Sequence, residues 1–98
     1  MRVVLVDASR TVLKIMTRLL EERGHSVCAF ADGPEALKHI AANFDVDALI
    51  TSIELPSMSG LEMCWETRLL STRRRPIYII VISTEADATR LSGPGQRR

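Results

Sequence analysis

Short apolar runs in this chain lead directly into residues with chemically competent side chains. Val3-Val4-Leu5-Val6 runs into Asp7, Ala48-Leu49-Ile50-Thr51 into Ser52, and Ile77 to Ile82 into Ser83 and Thr84. A carboxylate such as Asp7 can ligate a hard cation. Such an ion takes several oxygens, and Ala8 beside it adds no donor. A serine hydroxyl such as Ser52 is a weak nucleophile unless an adjacent base activates it.

Other reactive side chains lack partners at useful spacing. His25 and His39 invite a phosphohistidine or metal reading, but no residue is placed to assist either, and surface histidines are expected. Cys28 and Cys64 lack the short spacing of a metal or redox pair and read as reduced, buried thiols of a cytoplasmic protein. Met58, Met63 and Trp65 read as packing around a helix rather than as a cofactor box. Arg73-Arg74-Arg75 has no interleaved aromatic residue, so a solvated loop is expected rather than a nucleic-acid contact. Gly93-Pro94-Gly95 neither follows a strand nor opens a helix, so it is no phosphate cradle.

The elements that would position these groups alternate. The strands are expected at Val3–Val6, Ser26–Ala31, Ala48–Ser52 and Ile77–Ile82, and their near-continuous apolar character suits strands covered on both faces. Between them, Val12, Leu13, Ile15, Met16, Leu19 and Leu20 recur at helical spacing, with Ser9 as N-cap and Gly24 just past the end. Asp32-Gly33-Pro34 opens a second helix with Ala36, Leu37, Ile40 and Ala41 on its stripe. A third starts at Leu61, and Ala86–Leu91 can begin a fourth. Strict β-α alternation implies a parallel sheet with right-handed crossovers. In such a sheet the reactive site lies at the C-terminal strand ends, near the switch point in strand order.

Composition narrows the class further. The 98 residues carry 13 Lys+Arg against 12 Asp+Glu, so no net field draws the chain to nucleic acid or anionic lipid. Its longest strongly apolar stretch, Ile77 to Ile82, is far short of the about 20 residues that cross a bilayer. No membrane role is expected.

Taken together, four segments resemble the receiver domain of bacterial two-component response regulators. They are Val3-Val4-Leu5-Val6-Asp7, Ala31-Asp32-Gly33-Pro34-Glu35-Ala36-Leu37, the stretch from Leu49 to Glu62 with Pro56 and Gly60, and Pro76 to Ser83. The resemblance implies a flavodoxin-like three-layer sandwich, here with about four strands and three to four helices. It also implies a signalling role in which a histidine kinase or phosphotransfer protein donates phosphoryl to an aspartate ending the third strand. That chemistry uses an acid cluster holding Mg²⁺, a hydroxyl ending strand four and a lysine ending strand five.

Measured against that pattern, Ser52 occupies the acceptor position and Asp7, Ala8 and Glu54 form a vestigial acidic pocket. Ser83 matches the switch hydroxyl, and the lysine has no counterpart. Ordinary aspartyl phosphorylation is therefore not expected, and neither is a bound cofactor, with Asp7 at most a residual Mg²⁺ ligand. The expected function is phosphorylation-independent protein–protein interaction with a histidine kinase, a phosphotransfer protein or a response regulator. Residual phosphoryl acceptance at Glu54 or Ser52 is the enzymatic alternative, and an inert remnant of a longer regulator the third. A truncated receiver-like unit over residues 1–90 with a flexible basic tail at 91–98 is expected, its ending of the kind a frameshift leaves. Loss of a fifth strand would make Ile77, Ile79, Ile80 and Ile82 an exposed edge, from which a homodimer follows.

Overall fold

In a computed structural model of the chain, residues 1–71 and 76–83 are described. The element order is β1 (Arg2–Val6), α1 (Arg10–Glu22), β2 (Ser26–Phe30), α2 (Gly33–Ala42), β3 (Ala48–Ser52), α3 (Gly60–Ser71) and β4 (Tyr78–Ile82). All pairings are parallel, in the order β2-β1-β3-β4. The expected alternation and sheet are thus present. The arginine run at 73–75, Thr84, the fourth helix and the basic tail lie outside the described residues.

Strand geometry sends successive side chains to opposite faces, and the core divides accordingly. Val3, Leu5, Ala48 and Ile50 turn to one side, where Leu13, Met16 and Leu20 of α1 pack on them. Val4, Val6 and Leu49 turn to the other, where Ala36 and Ile40 of α2 and Met63 of α3 meet them. This is a three-layer α/β sandwich. α1 has no fully buried residue, whereas α2 buries Gly33, Ala36 and Ile40. The α1 layer is the thinner cover.

Local signals set the helix ends. The Ser9 hydroxyl accepts from the Val12 N–H and caps α1, and Gly24 follows that helix with a φ of 90°, a left-handed conformation that costs glycine little. Asp32 caps α2 by accepting from the Glu35 N–H, with Pro34 in the first turn. At the N-terminus of α3, Ser59 and Glu62 form a reciprocal capping box, 3.1 and 2.9 Å long.

Two packing expectations fail. Cys28 is exposed on the edge strand β2 rather than buried, because no further strand among the described residues flanks β2. Trp65, expected in the packing around α3, is 73% exposed. At 100° per residue it falls away from the face that carries Met63 and Thr67, both fully buried.

The Thr67 hydroxyl is the one buried side-chain oxygen among the described residues with no hydrogen-bond partner. An unsatisfied buried hydroxyl costs on the order of 1–3 kcal/mol. Thr67→Val keeps the branched shape and should raise stability by about 1 kcal/mol, read as a higher urea midpoint at unchanged m-value. The cysteines give a second test. Burial pushes the Cys64 thiol up from its ordinary range, with Arg68 partly opposing the shift. Since only thiolate reacts, iodoacetamide should modify exposed Cys28 first near neutral pH. Alkylation of Cys64 should accelerate only above the usual thiol range. Equal rates at pH 7 would contradict this burial.

Candidate functional site

The strand register itself assembles the site. Val6 pairs with Thr51, Thr51 with Val81, and Ser52 with Ile82. Asp7, Ser52 and Ser83 are the residues reached at the C-terminal ends of three adjacent strands, which run about 4.8 Å apart. β1 lies between β2 and β3, so the chain crosses to its other side between β2 and β3. The switch point therefore falls where Asp7 and Ser52 stand.

Each group is engaged locally. The Asp7 Oδ1 accepts the Ser9 N–H at 2.8 Å, and its own N–H donates to the Phe30 carbonyl at 3.1 Å. Asp7 thus ties the β1–α1 turn, one step before the Ser9 cap. Ser52 is half-buried, and its Oγ donates to the Glu54 carbonyl at 3.5 Å. Glu54 is exposed, as are Ala8 and Ser83. His39 is half-buried and its ring stacks at a tilt on Phe30, 5.3 Å between centroids. His25 lies beside the N-terminal ammonium, 3.2 Å away at Nδ1. The two histidines lie apart from the strand-end site.

The β3–α3 loop is the most tightly constrained part of this region. Gly60 N–H donates to the Ile53 carbonyl at 2.6 Å, and a Cβ on Gly60 would run into the Ser52 carbonyl oxygen and Ile53. Ser57 adopts a φ of 66° while the Met58 N–H donates back to the Pro56 carbonyl at 2.6 Å, a three-residue turn. Glycine is thus required at 60 because α3 begins in contact with the end of β3. The Ser59-x-x-Glu62 spacing is a sequence signal for this helix start. The Gly60 contact has no local signal, since it depends on where β3 ends in space.

A Mg²⁺ site needs several oxygens converging on one point. Asp7 offers a single carboxylate, one oxygen of which is already occupied, and Ala8 offers none. No group of three or more His, Cys, Asp or Glu side chains among the described residues could hold a metal ion.

This topology and site placement define a class, and comparison with known proteins gives the family. Residues 3–92 match the response regulator receiver domain, and the chain belongs to that family, the receiver domains of two-component signalling proteins. Over 63 residues it is 48% identical to protein-glutamate methylesterase/protein-glutamine glutaminase 2 of Caulobacter vibrioides, covering 63% of this chain and 18% of that protein. It is 35% identical to the chemotaxis protein CheY1 of Helicobacter pylori over 87% of this chain and 68% of that protein. The response regulator TrrA of Thermotoga maritima, solved with Mg²⁺ and beryllofluoride, superposes at a TM-score of 0.76 with 26% identity, over 91% of this chain and 74% of that one. A structure of histidine kinase ThkA in complex with TrrA also matches, at a TM-score of 0.73, 28% identity and 85% and 68% coverage. The chain spans less than half the length of the first curated relatives it matches. No helix among the described residues is long and apolar enough to cross a membrane.

Gly60→Ala should destabilise the domain by about 1–3 kcal/mol, the cost of overpacking against backbone that cannot yield. Chemical denaturation measures this. A variant as stable as the parent would show that α3 does not abut the end of β3.

Proposed function

We propose that this receiver domain acts through protein–protein contact and not by accepting phosphoryl on an aspartate. The observation that carries the reading is the state of the strand-end groups. At the position where the family places its acceptor stands Ser52, whose hydroxyl is turned to the Glu54 carbonyl with no side-chain base among its hydrogen-bond partners. Asp7 is committed to the Ser9 N–H, and Ala8 supplies no second acid. A hydroxyl so placed lacks both the base that would activate it and the cation that would neutralise developing phosphoryl charge. By this reading the domain is no enzyme and needs no Mg²⁺.

The partners proposed are those a receiver fold can dock: a histidine kinase, a phosphotransfer protein or another response regulator, in the cytoplasm. TrrA bound to ThkA shows a receiver of the same family held by a kinase. Self-association belongs to the same reading, because large apolar side chains stand outward on two surfaces. One is the sheet face beside α1, with Tyr78 67% and Ile80 52% exposed. The other is the outer face of α3. Of the four isoleucines expected at a dimer edge, Ile80 is the exposed one. Ile77 is fully buried, Ile79 packs against the cluster under α2 and α3, and Ile82 packs against the cluster under α1.

Incubation with a radiolabelled, autophosphorylated histidine kinase and Mg²⁺ should leave no phosphate on this chain, and a small-molecule phosphodonor should give the same result. The Ala8→Asp/Ser52→Asp variant, with its acids restored, should gain Mg²⁺ binding by calorimetry. Stable phosphate on the parent chain, at Glu54 or Ser52, would sink the interaction reading in favour of residual phosphoryl acceptance.

A further inference from the structure

Leu61, Trp65 and Leu69 of α3 are spaced four residues apart and stand 52%, 73% and 63% exposed. On a helix of 3.6 residues per turn they form one continuous i±4 ridge. Trp65 is the most exposed large apolar side chain among the described residues and stands midway between two leucines. Outward tryptophan flanked by aliphatic residues is the composition of a binding hot spot rather than of a solvated helix face.

The charges beside the ridge choose the occupant. Glu62 stands about 60° to one side of Trp65 and Arg68 about 60° to the other. Both are held by backbone contacts: Glu62 Oε1 accepts the Ser59 N–H at 2.9 Å, and Arg68 Nη1 donates to the Ile77 carbonyl at 3.1 Å. A two-fold axis can relate two copies of such a ridge with the helices running in either sense. If the helices run oppositely, Glu62 faces Glu62 and Arg68 faces Arg68. If they run the same way, Trp65 meets Trp65 on the axis, each leucine meets its own copy, and Glu62 of each copy lies beside Arg68 of the other. The ridge is therefore self-complementary in charge in one orientation only.

Resting on the self-association reading above, we propose that the α3 ridge is the two-fold contact of a homodimer. Its two helices run in the same sense, with Trp65 at the centre and a Glu62–Arg68 ion pair on each flank. The sheet face with Ile80 is then not the dimer contact.

The chain has a single tryptophan, which makes the contact directly visible. Sedimentation of the intact protein across the micromolar range should show a monomer–dimer equilibrium. Trp65 emission should shift to the blue with the same midpoint, as the indole leaves water. Trp65→Glu should weaken dimerisation by about tenfold or more with an unchanged far-UV circular dichroism spectrum, since Trp65 lies outside the core, whereas Ile80→Lys should leave the dimer intact. Added salt should weaken association several-fold, as it screens attractive pairs. A dimer with unshifted tryptophan emission, or one lost in Ile80→Lys and kept in Trp65→Glu, would overturn the α3 assignment while leaving self-association standing. Association strengthened by salt would overturn the same-sense orientation. A monomer at every concentration would remove self-association itself.

Discussion

Everything in this domain depends on the parallel register between β1 and β3. These strands are buried on both faces, so each residue pair in the register serves two layers: Leu5 with Ile50 under α1, Val4 with Leu49 under α2 and α3. A slip of one residue would exchange the two faces along the whole strand. The same register carries Asp7 and Ser52 to adjacent strand ends. Core and candidate site are therefore consequences of a single pairing, and altering the chemistry at the strand ends does not require altering the fold.

That separation lets the residues at the strand ends vary while the receiver architecture stays the same. The strand-end groups contribute to structure in their own right. Asp7 ties the β1–α1 turn, and Ser52 lies at the point where α3 starts, its carbonyl oxygen closed in by Gly60. Acid clusters are costly to hold together without a cation between them. A single tied carboxylate such as Asp7 carries no such repulsion. Under the proposed interaction reading, function rests on surface, and the outward ridge of α3 is the surface proposed to carry it.

Much of this was legible along the chain. Continuous apolar runs marked the strands, the cap residues Ser9 and Asp32 marked helix starts, and strict alternation implied parallel pairing. Element ends shifted by only a residue or two, as capping and pairing settled them. Less legible were residues whose role depends on the far side of a helix. Helical spacing alone puts Cys64, Trp65 and Leu69 on one side of α3. The angular position of Met63 and Thr67 assigns the core side to those residues instead.

Linear order was enough to set the element sequence, the parallel pairing and the residues that reach the strand ends, because local propensity and apolar periodicity act within a few residues. It could not set which side of α3 meets the sheet, how closely Gly60 approaches Ser52, or that Thr67 would be buried without a partner. Those follow from distances between segments far apart in the chain, which exist only once β1 and β3 have paired and the helices have packed on their two faces.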